Sequence, residues 1–419
     1  MGCSGLGWGA VIGWRGWDRT IRRSWRRCSP RGWVGAALAP VNHRLAADGI
    51  RGVLADIEPT VLIQHAATDP APVEPAGPRI AVAGQVQGAL EFEALVSESP
   101  DDPVEVMAHM DDVCLLPHTS GTTGPPKGVM LTHANLTWNV INFLSCADFR
   151  RDDVTLAIAP FFRVGGTGVN VLPVLFMGGT VVVPSDLRPD GILQAMERHP
   201  VTVGFGNPDL LEALARSEAW PEVDLSSVRF VVTGGAPVPE RLIRAWLDRG
   251  VLLLQGYGLP GETGELLVRG PNVMVGYWRR PDATREVLSP EGWLRTGDAA
   301  RTDQEGYVWI VDRVADCFLA AGRPVYPGDV ERVLTGHPAV ADAGVVQVLE
   351  RGGGEVVVAV VVLAPAAEAT EAEILAFGQQ HLAAHQAPAS VRFVDRLPRN
   401  SVGKLRARLH ALLAPASPI

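Results

Sequence analysis

The chain has 419 residues, more than one ordinary core accommodates, so two or more domains are expected. Hydrophobic residues make up 47% and charged residues 20%, the balance of a soluble globular protein, and the formal net charge of −9 argues against nucleic acid or an anionic membrane as main partner. Five widely spaced cysteines (Cys3, Cys28, Cys114, Cys146, Cys317) exclude a paired-cysteine zinc site or disulfide framework and suggest a reducing, cytoplasmic compartment.

Residues 1–33 carry five of the eleven tryptophans and seven arginines without helical or strand periodicity, and read as an unstructured or unrelated tail. From Val34 a helix is expected over Ala46–Leu54 and a strand over Thr60–Gln64. Residues 66–112, rich in Pro, Ala and acid, read as mostly loop. Val113–Leu116 reads as a strand feeding Thr119-Ser120-Gly121-Thr122-Thr123-Gly124-Pro125-Pro126-Lys127-Gly128, and Leu131–Leu136 as the start of a helix. Glycines turn backbone N–H groups inward, hydroxyls add donors and Lys127 adds a point charge, so strand, loop and helix together make a phosphate-binding layout. Pro126 stands where a Walker A loop needs its second glycine. The chain has only two lysines, Lys127 and Lys404, against 35 arginines, so each lysine marks a place that requires a compact ammonium.

Thr119–Lys127 resembles the signature loop of the adenylate-forming superfamily, which includes acyl-CoA synthetases and peptide-synthetase adenylation domains. Later segments extend the likeness. Pro160-Phe161-Phe162-Arg163-Val164-Gly165-Gly166 is similar to a family segment near the acyl pocket, with Arg163 where the family usually has His. Strand and helix patterns then alternate over Thr180–Val183, Gly191–Glu197, Val201–Phe205, Pro208–Ala215, Phe230–Thr233, Pro239–Leu247 and Val251–Leu254, which predicts layered α/β structure with a parallel sheet. Gly234-Gly235-Ala236-Pro237 and Gln255-Gly256-Tyr257-Gly258-Leu259 follow two of those strands and match the family's adenine-binding loops, Tyr257 being the expected stacking partner.

After Leu259 the family's Thr-Glu pair, whose Glu helps hold Mg²⁺, is missing. Pro260-Gly261-Glu262-Thr263-Gly264-Glu265-Leu266 instead resembles text several dozen residues further on, as though a block had been excised. Glu262 or Glu265 is a candidate substitute ligand, and no metal residue is assigned. The likeness resumes at Gly276-Tyr277-Trp278 and at Thr296-Gly297-Asp298, and a strand ends at Asp312-Arg313; the resemblance gives Asp298 and Arg313 the ribose hydroxyls. Ala315 occupies the family's hinge position, while Ala321 and Gly322 fall where the pantetheine thiol of CoA passes. The remainder reads as strands Ala343–Leu349, Val356–Leu363 and Val391–Val394 with a helix opened by a Thr370–Glu373 capping box. Pro398-Arg399-Asn400-Ser401-Val402-Gly403-Lys404 is similar to the family's catalytic-lysine loop.

The resemblance therefore implies a large, layered α/β adenylation domain over 34–313, short of its amino-terminal part, and a small, mobile α+β domain over 314–419. It implies an ATP-, Mg²⁺- and CoA-dependent ligase for a fatty or other apolar carboxylate. Alternatives are a catalytically silent remnant, or a ligase that loads an acyl-carrier protein.

Overall fold

The computed structural model describes residues 10–13, 36–43, 45–65, 77–99, 108–119, 126–234, 238–255, 264–302, 308–320, 323–349 and 355–398. Its backbone contacts divide it into two units, Met1–Gly256 with Arg269–Gly292, and Tyr257–Val268 with Trp293–Ile419.

In the first unit, β1 (Ala10–Gly13), β2 (Val61–His65), β3 (Arg79–Val82) and β4 (Leu90–Glu91) form an all-parallel sheet in that order. Helix α1 (Ala47–Ile57) buries Val53, Leu54 and Ile57 on one face, and Glu58 ends it in the left-handed conformation. β1 corrects, at its four residues, the expectation of no regular element before residue 34. Likewise β3, β4 and α2 (Phe92–Glu98) occupy part of the stretch read as loop. Strands of two to four residues are too short to show periodicity and owe their place to pairing with a neighbour.

β5 (Val113–Leu115) and β6 (Val129–Thr132) pair antiparallel, and α3 (His133–Cys146) follows at once. The expected strand–loop–helix layout is thus corrected: a strand separates the hydroxyl-rich loop from the helix, and the loop closes a β-hairpin. Thr132 caps α3 in a reciprocal capping box with Asn135, so the helix N-terminus is satisfied by its own residues. His118 bridges Gly128 across the hairpin. Its side chain is 8% exposed, with Nε2 3.8 Å from the Asp56 carboxylate, itself paired to Arg280 at 2.6 Å.

β7 (Val154–Leu156) and β8 (Thr180–Val182) pair parallel, linked through α4 (Val164–Gly168) and α5 (Val171–Met177). β9 (Val203–Gly206), β10 (Phe230–Thr233) and β11 (Leu252–Gln255) form the predicted parallel sheet, with β10 central and buried along its whole length. Its helices are α6 (Pro189–Arg198), α7 (Pro208–Ala215) and α8 (Glu240–Leu247); Leu193, Leu211, Leu214 and Trp246 are each at most 1% exposed in their shared core. Asp153, 1% exposed, locks the strand starts together: one oxygen accepts from the Thr202 hydroxyl and from Arg229 Nη2, each at 2.6 Å, and the other from the Arg150 N–H. The chain crosses to the second unit for β12 (Gly264–Val268) and returns for β13 (Gly276–Tyr277), which pairs with β6, and for α9 (Pro281–Val287).

The second unit adds β14 (Leu294–Thr302) and β15 (Val308–Arg313) to β12 in an antiparallel sheet. A 3₁₀ turn over Val314–Asp316 and the hairpin of β16 (Phe318–Ala320) with β17 (Arg323–Val325) lead to α10 (Pro327–Leu334). β18 (Val340–Leu349) and β19 (Glu355–Leu363) pair antiparallel, and β20 (Ser390–Phe393) joins β19 in parallel. The continuous apolar run of β19 follows from burial on both faces: Val357, Ala359 and Val361 face α10 and α11 (Glu371–His381), while Val358 and Val360 enter a second cluster with Leu397. The Thr370–Glu373 capping box forms as expected.

Asp153→Ala is expected to lower unfolding free energy by about 2–3 kcal/mol, because Arg229 and the Thr202 hydroxyl lose their shared acceptor. Urea denaturation checks this; an unchanged midpoint would refute the lock. Burial pushes the His118 pKa below the ordinary histidine value, with Asp56 opposing. The unfolded chain therefore takes up the proton first, and stability held above about pH 6.5 is lost as pH falls below it. His118→Phe removes this slope, so the variant gains relative to wild type on acidification; parallel pH profiles would contradict the assignment.

Candidate active site

The base of the hydroxyl-rich loop is closed by reciprocal bonds. The Thr119 N–H donates to the Lys127 carbonyl and the Lys127 N–H to Thr119 Oγ1, both at 3.0 Å. Above this pair the Val129 N–H donates to the Pro117 carbonyl at 2.8 Å. Thr119 and Lys127 are thus brought together as the two ends of one hairpin, and Ser120, Gly121, Thr122, Thr123 and Gly124 fall outside the described residues. Gly128 packs closely here: a Cβ would lie 3.3 Å from both His118 Nε2 and Leu116 Cγ, so those side chains would have to shift by a few tenths of an ångström to admit one.

The two loops expected to hold adenine follow β10 and β11, and Gly235, Ala236, Pro237, Gly256, Tyr257 and Gly258 lie outside the described residues. At the end of β10 the Thr233 hydroxyl is buried and has no hydrogen-bond partner among the described residues. An orphaned hydroxyl at the carboxyl end of a parallel strand fits a polar ligand such as a nucleotide.

Arg163 occupies the N-cap position of α4 without capping it through its side chain. Gly165 lies under the Phe205 ring, where a Cβ would come within 3.3 Å. A Cβ on Gly166 would lie 2.3 Å from the Pro160 carbonyl oxygen, so the turn accepts only glycine there.

In the second unit, Asp298 and Arg313 face each other across β14 and β15 and form an ion pair. Arg313 also donates to the Thr296 carbonyl at 2.9 Å, and Thr296 Oγ1 donates to the Leu266 carbonyl at 2.8 Å. Gly297 has φ +71° and a Cβ there would lie 3.0 Å from the guanidinium, so a glycine lets Arg313 fold over the turn. The Asp298 side chain is 17% exposed and that of Arg313 45%, so the pair is not sealed in the core.

Glu265, one candidate metal ligand, is committed elsewhere: it binds Arg295 through Nε at 3.0 Å and Nη2 at 2.7 Å and accepts the Gly297 N–H. This pairing holds the Arg295 guanidinium more firmly protonated. The antiparallel register that places Glu265 beside β14 is what removes it from metal chemistry. Glu262 lies outside the described residues. Among the described residues no group of three His, Cys, Asp or Glu side chains is placed to hold a metal ion, so the donors described do not by themselves fit Mg²⁺. Ala315 is in the middle of the 3₁₀ turn after Arg313, and Ala321, Gly322 and Lys404 are outside the described residues.

Three supports were not foreseen. Asn135 Nδ2 donates to the Pro271 and Val273 carbonyls, both at 2.8 Å, tying α3 to the segment before β13. Lys127 Nζ lies 5.2 Å from the Tyr277 ring centroid. Asp312 Oδ2 accepts the Gly328 N–H at 2.8 Å, joining the strand of Arg313 to the first turn of α10. All three join residues well separated in the chain and have no local pattern; the legible signal near them is the Thr132–Asn135 spacing, which caps α3.

Residues 33–259 match the AMP-binding enzyme family and residues 329–404 the AMP-binding enzyme C-terminal domain. A feruloyl-CoA synthase of Amycolatopsis is 40% identical over 425 residues, covering 89% of this chain and 83% of that protein. An indoleacetate–CoA ligase of Aromatoleum aromaticum is 34% identical, covering 89% and 82%. Among solved structures, ATP-bound MatB of Rhodopseudomonas palustris superposes with TM-score 0.82 at 25% identity, covering 97% of this chain and 88% of that one. The amide bond synthetase McbA of Marinactinospora thermotolerans gives 0.84 at 27% identity, covering 96% and 88%. The alignment to the feruloyl-CoA synthase is longer than this chain, so that relative carries internal residues missing here, and the first family match stops at the residue where the text jumps. With both family matches in chain order and the mixed α/β architecture described, this chain belongs to the AMP-binding enzymes of the adenylate-forming superfamily.

Proposed function

We propose that the chain is an acyl-CoA synthetase that activates an apolar carboxylate. The carboxylate oxygen attacks the α-phosphorus of ATP, the bond to the pyrophosphate oxygen breaks, and an acyl adenylate forms. The CoA thiol then attacks the acyl carbonyl, its proton is released, and AMP leaves. The observation that carries this reading is the closed hairpin base, which holds the ends of the hydroxyl-rich loop together with a lysine at its edge.

Each residue then has a task set by its chemistry. The donors of 119–124 cradle the phosphates, and Lys127 steadies the loop or the departing pyrophosphate. Asp298 accepts from the ribose hydroxyls while Arg313 fixes its orientation. Lys404 bridges the substrate carboxylate and the α-phosphate. The functional boundary is drawn at 313/314, where β15 gives way to the turn holding Ala315, the proposed pivot. No step is assigned to a protein-bound metal. CoA, rather than a carrier protein, is taken as acceptor because the names of the feruloyl and indoleacetate relatives carry it. Those names also direct the first assays to ring-bearing acids, with fatty acids as the second arm; a reducing cytoplasm is the setting in which the free thiols fit.

Two observations favour a second reading. The missing internal block and the commitment of Glu265 to Arg295 suit a protein that binds nucleotide without ligating. Isothermal calorimetry with ATP, beside pyrophosphate exchange with each acid, separates the two. Binding with no exchange for any carboxylate would sink the ligase reading. In an active protein, Lys404→Ala is expected to cut adenylation by about 10²-fold or more, yet leave thioester formation from supplied adenylate within a few-fold. Equal losses in both half-reactions would contradict the role given to Lys404.

A further inference from the structure

The Lys127 ammonium lies over the face of Tyr277, 5.2 Å from the ring centroid. Among the described residues no carboxylate pairs with Lys127. This matters for a cation that must meet a phosphate: a carboxylate partner would cancel its charge, whereas an aromatic face attracts the ammonium through the ring quadrupole and leaves the charge whole.

The ring is itself held in place. Tyr277 and Gly276 pair with Val129 and Met130 of β6, directly after the loop. The Tyr277 N–H donates to Thr284 Oγ1 at 2.9 Å, and the Trp278 N–H to the Gly128 carbonyl at 2.8 Å. Trp278 Nε1 donates to the Asp56 carbonyl at 3.2 Å, which anchors the segment to the end of α1. Gly276 adopts φ +148°, and a Cβ there would lie 2.9 Å from Thr284 Cγ2, so glycine lets the segment press close. The ring therefore stands on backbone clamped from both sides, next to one of only two lysines in an arginine-rich chain.

We infer that Tyr277 is a positioning residue for Lys127: it holds the ammonium at the edge of the loop without neutralising it, ready for the β,γ-phosphates of ATP or for pyrophosphate. The inference deepens the ligase reading and rests on it for the identity of the anion.

The test compares Tyr277→Leu, which removes the ring, with Tyr277→Phe, which keeps it. In pyrophosphate exchange, Tyr277→Leu is expected to raise KM for pyrophosphate by about 3- to 10-fold with kcat little changed, Tyr277→Phe to stay within about twofold, and Tyr277→Leu to add nothing in a Lys127→Ala background. A second readout needs no activity. Acetylation with an N-hydroxysuccinimide ester, followed by peptide mass spectrometry, is expected to label Lys127 about 2- to 5-fold faster in Tyr277→Leu, with Lys404 as unchanged internal control. Equal labelling and equal KM in Tyr277→Leu and wild type would overturn the inference, as would Tyr277→Phe behaving like Tyr277→Leu. If wild type shows no exchange, the ligase reading fails while labelling still decides the Tyr277–Lys127 contact. Should thermal unfolding show Tyr277→Leu misfolded, Tyr277→Met supplies the ring-free variant.

Discussion

A glycine-bearing loop can gather donors around an anion only if its two ends are fixed. Here that constraint is met by the reciprocal bonds between Thr119 and Lys127, continued by the His118–Gly128 bridge and the Val129–Pro117 bond. The ladder places the loop at the tip of a hairpin, and β13 buttresses the same ladder from its other edge. Loop closure is thus settled before any ligand arrives, which lowers the entropy lost on binding.

The second unit meets the same demand differently. Asp298 and Arg313 belong to neighbouring antiparallel strands, so their separation is set by the sheet and not by a loop. Gly297 supplies the left-handed turn that brings the guanidinium over Thr296. Arg295 and Glu265 form a second ion pair on the other side of β14, between β12 and β14. Exposed pairs of this kind contribute little to stability, so their value is orientation.

Much of the fold was legible because its signals are local. Helix α7 and strand β10 were read with the bounds the structure gives, from proline at the helix start and a short apolar run. The Thr370 capping box and the buried valine strand β19 were equally plain. What escaped depends on distance along the chain. The second half of β6, Leu131–Thr132, was read into the start of α3, and only the pairing of Val129–Thr132 with β5 and β13 makes it a strand. α5 is a short apolar stretch holding Pro173, which reads poorly as helix although proline fits its first turn. Of the candidate site, the loop ends and the Asp298–Arg313 pair were visible as motifs. The Tyr277 ring under Lys127 was not, since 150 residues of chain separate partners that only β-pairing brings together.

The bond from Gly328 to Asp312 has a mechanical side. It spans the 3₁₀ turn at 314–316, joining the last strand before the proposed pivot to the first helix after it. Asp312 is 9% exposed, and a Cβ on Gly328 would lie 2.5 Å from the Val311 carbonyl oxygen, so the two backbones are in close approach. If Ala315 is the pivot proposed above, a swing about it has to break this bond first. The bond ties together the residues on either side of the 3₁₀ turn, so a change of backbone angles at 314–316 costs a nearly buried carboxylate one of its N–H donors.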